Sequence, residues 1–179
     1  MSPAPPQFVF GYGSLAGLRG RPARLEGYRR VWGVAMDNRV DIPGYKRYRV
    51  PEDGSRPAVY VAFLDIAEQP GTTTDGLLIA VDDAALRGLD ARERNYERVD
   101  VSAAVPDTPG AVWAYRGSPA GRKRLRVGLE RGCAVVAAQY LADARAALAL
   151  HGIPGELAVG ELAVMDLERV DLPPGDYAS

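Results

Sequence analysis

Most of the extended segments in this chain precede its long helical pattern, and that order excludes a doubly wound sheet, in which strands and helices alternate regularly. Residues 7–12, 25–36, 57–66, 75–81, 97–105 and 111–116 are rich in β-branched, aromatic and other apolar side chains, with Pro and Gly clusters between most of them. Two stretches carry helical spacing instead. One is 82–96, opened by the N-cap candidates Asp82 and Asp83; the other is 129–150, where Leu129, Cys133, Val136, Tyr140, Ala144 and Leu148 share a face. The pattern predicts an α+β fold on a curled sheet or small barrel. At 179 residues, with no low-complexity linker, the chain reads as a single domain over 7–179 behind a disordered tail at 1–6. The 171–179 end reads as frayed. The pentapeptide GELAV occurs at 155–159 and again at 160–164, far below the period of any repeat architecture.

The residue inventory narrows the chemistry. With 22 Lys and Arg against 23 Asp and Glu, a net charge of −1 supplies no field to gather nucleic acid or an anionic membrane. The basic runs RGRPAR at 19–24 and GRKRLR at 121–126 lack interleaved aromatics and read as solvated loops. No stretch approaches the ~20 apolar residues of a bilayer crossing. The lone cysteine, Cys133, excludes an internal disulfide and a thiolate zinc cluster, and the lone histidine, His151, excludes a His-rich metal site. No metal or cofactor is expected, and carboxylates are the expected proton carriers. Cys133 and Tyr140 read as core packing, and His151 as a complement to a helix C-terminal dipole. The N-terminus lacks the basic and apolar regions of a signal peptide, so a cytoplasmic location is expected.

Gly11-Tyr12-Gly13-Ser14-Leu15-Ala16 follows a strand and formally satisfies G-x-G-x-x-G/A, with Asp37 further on. A dinucleotide site needs a helix directly after the glycines, and Gly17, Gly20 and Pro22 interrupt one. The loop can still present successive backbone N–H groups as an oxyanion or carboxylate cradle. A plain tight turn is the competing interpretation. Ser14 suits substrate hydrogen bonding better than nucleophilic attack, because the motif is not G-x-S-x-G and no histidine lies nearby in sequence.

On a helix over 82–96, Leu86, Leu89, Glu93 and Tyr96 fall within an arc of about 80°, which puts Glu93 in the apolar stripe. Burial raises a carboxyl pKa toward the range of a general acid/base. An ion pair with Arg98 or another arginine is the structural alternative. Glu97 is the second candidate for the catalytic role.

FGYGSL at 10–15 and LDARERNYERVDV at 89–101, with GYRRVW at 27–32 and DGLLIAV at 75–81 between them, resemble the γ-glutamylcyclotransferase-like superfamily over roughly residues 8–116. The resemblance implies a small mixed β-barrel flanked by helices with the substrate cavity at its mouth. It implies that Tyr12, Gly13, Ser14 and Leu15 form the substrate-binding loop, that Glu93 is the catalytic acid/base and that Tyr96 is the family tyrosine after it. Arg94 and Ala16-Gly17 depart from the common family pattern. The implied reaction closes a γ-glutamyl amide to 5-oxoproline and expels an amine, with a small-molecule γ-glutamyl substrate and no metal. A noncatalytic binding member of the fold, or an amidase or acyl-transfer enzyme on related amides, are the alternatives.

Overall fold

A computed structural model of the chain describes residues 5–154 and 157–175. In chain order the strands and helices are β1 (Gln7–Gly11), β2 (Arg21–Asp37), β3 (Lys46–Arg49), β4 (Tyr60–Val81), α1 (Asp83–Arg92), β5 (Tyr96–Asp100), β6 (Ala111–Gly117), α2 (Pro119–Glu130), β7 (Ala134–Ala137), α3 (Ala138–Ala149), β8 (Ala163–Met165) and β9 (Glu168–Asp171). The fold is α+β, as expected. A mixed sheet runs in the order β5-β6-β1-β4-β7-β8, with β2 also paired to β4, and β3 and β9 form a separate two-stranded ribbon.

β1 is central because both of its edges are taken, antiparallel by β4 and parallel by β6, and its Val9 and Phe10 are fully buried. Its C-terminal end is therefore held firmly, which fixes the loop that follows. The segments expected at 57–66 and 75–81 join into the single long strand β4, whose antiparallel partner β2 is correspondingly long. The register shifts at Glu26/Tyr28 and Trp32/Val34, and such bulges bend the ribbon and curl the sheet. Gly27 and Gly71 take positive φ, 76° and 81°, near the first irregularity.

Five expectations are corrected. The helix expected over 82–96 starts as predicted, with the Asp82 carboxylate accepting from the Ala85 N–H at 2.7 Å, but it stops at Arg92. Asn95 ends it: this buried side chain donates to the Tyr45 hydroxyl at 3.0 Å and accepts from Arg124 at 2.8 Å, while its carbonyl accepts from the Ser118 N–H. Those bonds draw the chain off the helix axis, and β5 begins at Tyr96. The expected helix at 129–150 is instead the end of α2, a turn through Gly132 at φ 63°, the buried strand β7 and then α3. Val135 and Val136 suit a strand as well as a helix face, so periodicity alone misleads there.

The run at 121–126 is not a loop but the body of α2, capped by Ser118 with Pro119 in its first turn. Arg122 and Arg124 point inward to Asp65 and to Asn95. Likewise most of the run at 19–24 lies in β2 rather than in a loop. The expected fraying from 171 is also absent through residue 173. Asp171 lies in β9, the Leu172 N–H donates to the Tyr45 carbonyl and the Gly44 N–H to the Pro173 carbonyl, both at 2.8 Å. The remainder of that expected tail at 176–179, most of the tail at 1–6 and the first two residues of the GELAV pair lie outside the described residues.

A satellite core built on Val34, Met36, Tyr48, Phe63, Val135 and Leu167 joins the β3–β9 ribbon to the sheet. Fully buried Asn38 anchors the ribbon's approach: its amide donates to the carbonyls of Tyr48 and Pro57 and its oxygen accepts from the Tyr48 N–H. Lys46 and Arg169 are carried into the site by this ribbon.

Candidate active site

Beyond β1 the chain closes a single 3-10 turn over Ser14–Gly17, with the Ala16 N–H donating to the Gly13 carbonyl at 2.9 Å and the Leu18 N–H to that of Leu15 at 3.0 Å. The leading amides of such a turn have no partner within it. Among the described residues, the N–H groups of Gly13, Ser14 and Leu15 meet no protein acceptor. A Cβ at position 13 would sit 3.2 Å from the Leu64 Cδ1, so a larger residue there would crowd the Leu64 side chain.

This loop forms one wall of a narrow recess whose other walls are Leu64, Glu93, Tyr96, Tyr115 and Tyr140. The recess adjoins a chamber of 470 Å³, and Ser14, Glu93, Tyr96 and Tyr140 belong to both. The structure thus brings together Tyr12, Gly13, Ser14, Leu15, Glu93 and Tyr96, at the junction of a tight pocket and a roomy one. Glu97 lies on exposed β5 and lines neither cavity. A separate cavity of 350 Å³, walled in part by Arg29, Trp32 and Asp75, lacks both the amide loop and Glu93.

Glu93 reaches the site differently from the sequence-based expectation. It is not inside a helical stripe but at the C-cap of α1, its N–H donating to the Leu89 carbonyl. Its side chain is 16% exposed. Burial raises its pKa above the ordinary value, and the nearby charges of Arg92 and Lys46 only partly oppose this. The contact from Arg92 Nε is 3.4 Å long and comes from a half-exposed arm, which makes it weak. Arg98, the partner considered from sequence, pairs with Asp90 at 3.1 Å instead.

The tyrosines act as a framework. The Tyr12 hydroxyl donates to the Tyr115 carbonyl, the Tyr96 hydroxyl to the Leu64 carbonyl at 2.6 Å, and the Tyr115 hydroxyl to Asp90 at 2.8 Å. Burial pushes the Tyr12, Tyr96 and Tyr140 hydroxyls up in pKa, so they stay protonated. Tyr12 and Tyr96 therefore line the recess with their hydroxyl protons already used within the protein. Arg30 fixes the loop from behind, donating from Nε to the Tyr12 carbonyl at 2.6 Å and from Nη2 to the Asp75 carbonyl.

Several site residues were missed from sequence. Tyr140, read as core packing, lines both cavities and accepts a long bond from the Leu64 N–H at 3.4 Å. It packs edge-on against Phe63 with centroids 5.0 Å apart. Lys46, Phe63 and Arg169 line the chamber. The available signal for Lys46 was weak: Lys46 and Tyr48 lie two apart on the short strand β3, so they share a face, but Pro and Gly just upstream suggested a loop.

A mixed α+β domain with a sheltered carboxylate and unpaired loop amides around a cleft belongs to the class of small-molecule sites with acid/base capability. Residues 9–144 match the family described as Gamma-glutamyl cyclotransferase, AIG2-like, and the chain belongs to that family. A solved structure titled "Gamma-glutamyl cyclotransferase" is 14% identical with a TM-score of 0.50, the alignment covering 97% of this chain and 92% of that one. A human uncharacterized protein aligns at 16% identity and TM-score 0.47 over 96% and 90% of the two chains. An Arabidopsis thaliana protein aligns at 20% and 0.36 over 90% and 93%. Comparison with curated proteins finds no match. Among the described residues no helix is long and apolar enough to cross a membrane.

Proposed function

We propose that this protein converts a γ-glutamyl amide into 5-oxoproline and a free amine, with Glu93 as the proton carrier. The observation that supports this reading is the position of the Glu93 carboxyl in the wall common to the recess and the chamber, in company with the loop amides. The recess itself holds only about 30 Å³, so in this reading the glutamyl head lies at its mouth, against the loop and Glu93, and the departing amine extends into the chamber.

The substrate contains its own nucleophile. Its α-amine, mostly ammonium at neutral pH with a reference pKa of ~8, gives a proton to Glu93 and attacks the γ-carbonyl carbon. The new C–N bond closes the five-membered ring, and Glu93 returns the proton to the departing nitrogen as the old amide C–N bond breaks. The second proton of the ring nitrogen passes by way of Glu93 to the released amine, which leaves as ammonium. The free amides of Gly13 to Leu15 stabilise the oxyanion or hold the substrate carboxylate. The recess supplies the remaining condition by holding the chain folded with amine and carbonyl close together.

The direct test is product analysis on a panel of γ-glutamyl compounds. Release of 5-oxoproline is the expected result. Free glutamate would assign an amidase, and no product from any member would favour a noncatalytic binding protein.

Two substitutions probe the loop. Ser14→Ala is expected to lower kcat/KM by no more than about tenfold, since the backbone cradle remains. A loss as deep as that of Glu93→Gln would point to direct serine chemistry. Arg30→Met removes the brace on the Tyr12 carbonyl and is expected to reduce kcat by ~10- to 100-fold through misplacement of the loop, with a smaller change in KM. Arg30→Lys should recover part of the loss; equal falls in kcat in both variants, or a rise in KM with kcat unchanged, would contradict a positioning role.

A further inference from the structure

One phenolic proton at the recess is uncommitted. Four tyrosines line that recess, Tyr12, Tyr96, Tyr115 and Tyr140. A phenol has a single proton to donate, and three of the four have placed theirs: Tyr12 on the Tyr115 carbonyl, Tyr96 on the Leu64 carbonyl and Tyr115 on Asp90. Tyr140 is the opposite case. Its oxygen accepts from the Leu64 N–H at 3.4 Å, and among the described residues its own proton meets no acceptor. The Leu64 backbone thus gives two tyrosines different parts, its carbonyl taking the Tyr96 proton while its N–H turns the Tyr140 oxygen into an acceptor. Burial raises the Tyr140 pKa, so the phenol remains a donor at any working pH.

The place of this proton is as specific as its freedom. A Cβ on Gly13 would stand 3.7 Å from the Tyr140 oxygen, so the hydroxyl faces the amide loop across the space that the glycine leaves open. Tyr140 also belongs to the wall common to the recess and the chamber, together with Ser14, Glu93 and Tyr96. Its ring is held edge-on by Phe63 and by Trp32, with centroids 5.0 and 6.1 Å away. A donor fixed before the substrate arrives needs no reorganisation as charge develops, which is the requirement of an oxyanion site. Ser14 in the same wall is exposed, which leaves its hydroxyl in competition with water.

Resting on the cyclisation reading above, the geometry points to Tyr140 as a catalytic hydrogen-bond donor to the γ-carbonyl oxygen, acting with the Gly13 to Leu15 amides as that oxygen becomes an oxyanion. In that reading the scissile carbonyl lies at the junction of the two cavities, where the Tyr140 hydroxyl stands. The phenol keeps its proton throughout, and the proton transfers stay with Glu93. Its hydrogen bond strengthens as negative charge gathers on the oxygen and weakens again when the ring carbonyl re-forms. It therefore lowers the barrier rather than tightening substrate binding.

Tyr140→Phe removes the hydroxyl and keeps the ring with its packing. On the panel compound with the highest kcat/KM, the variant is expected to lose ~10²-fold or more in kcat, the size of one oxyanion donor, with KM within about threefold of wild type. A kcat within about threefold of wild type would overturn the assignment. So would a loss in kcat/KM carried by KM alone.

Calorimetric titration of 2-amino-4-phosphonobutyrate separates this inference from the reaction itself. In this glutamate analogue a tetrahedral, anionic phosphonate replaces the γ-carboxyl; norvaline, with a methyl group there, is the control. Tyr140→Phe is expected to weaken the phosphonate by ~10- to 100-fold, the range of a hydrogen bond to a charged group, and norvaline by less than about threefold. Equal weakening of both would move the donor to the α-carboxylate and overturn the assignment. A wild-type protein that binds the phosphonate no tighter than norvaline would overturn it too, whether or not the variant folds. Release of 5-oxoproline with an unchanged kcat in folded Tyr140→Phe defeats the donor and leaves the reaction standing. Absence of 5-oxoproline from the whole panel defeats the reaction, and the donor then stands only if the advantage of the phosphonate is lost with the hydroxyl.

Discussion

Glu93→Gln is expected to yield a folded protein that releases 5-oxoproline at least ~10³-fold more slowly than wild type, because general acid/base catalysis by one positioned group contributes ~10²- to 10⁴-fold and this group serves both proton transfers. Glutamine keeps the shape at the C-cap of α1, where the backbone bond to the Leu89 carbonyl makes the cap. The side chain is therefore dispensable for folding. Burial raises the Glu93 pKa, so the folded chain holds that proton more tightly than the unfolded chain. Ionising the group then costs stability, a cost absent below the ordinary carboxyl range and fully present above the raised value.

The variant should consequently melt at the wild-type temperature or higher at neutral pH, with any gain vanishing as the pH falls below ~4. In the wild-type protein the acid limb of kcat/KM should lie above the ordinary glutamate range. Removal of the Lys46 charge, which opposes the shift, should move that limb further up. Full activity in a folded Glu93→Gln protein would remove Glu93 from the mechanism.

The site was more legible in the sequence than the fold around it. FGYGSL announced a strand running into a glycine loop, and β1 does end at Gly11 with its loop lining the recess. Glu93 was singled out for a helical position it does not occupy, yet its shelter is real. Glu93 is the C-cap directly after the last helical residue, and it is sheltered there in the wall of the two cavities rather than in a helical stripe.

What stayed hidden depended on tertiary partners. Asn95 breaks α1 only because Tyr45 and Arg124 arrive to bond it, from 50 and 29 residues away. Arg122 and Arg124 read as surface charge because nothing local shows that Asp65 and Asn95 await them. The Ala-Val-Val-Ala run of β7 adopts a strand because β4 and β8 flank it, overriding a pattern compatible with helix.

The largest effect on stability is expected at Asp65, through the same long-range pairing. Its side chain is 1% exposed, and its Oδ1 accepts from the Ile66 and Gly117 N–H groups at 2.7 Å each. Its Oδ2 accepts from Arg122 at 3.0 and 2.9 Å, so one carboxylate joins β4, the end of β6 and α2. The packing is built around it: a Cβ on Gly33 would lie 2.4 Å from the Asp65 Cβ, and one on Gly117 2.3 Å from Oδ2. Arg122→Met leaves a buried carboxylate without its cation, and Asp65→Ala leaves two buried amides and the guanidinium without theirs.

Breaking a buried pair from one side costs ~3–5 kcal/mol, which for a chain of this size lowers the melting temperature by roughly 6–20 °C; Asp65→Ala should fall in that range and Arg122→Met, whose guanidinium is 38% exposed, at or below its lower end. The double variant should be more stable than the sum of the two losses predicts, since the second removal takes away a group already stranded. Denaturant titrations of the two singles and the double measure this directly, and additive losses below ~1 kcal/mol each would show the pair to be incidental. The effect also reaches the site, because Asp65 adjoins Leu64, whose carbonyl holds the Tyr96 hydroxyl and whose side chain walls the recess. Folded Asp65 variants should thus lose turnover at temperatures well below their melting transition, as β4 relaxes and the Leu64–Tyr96 contact shifts.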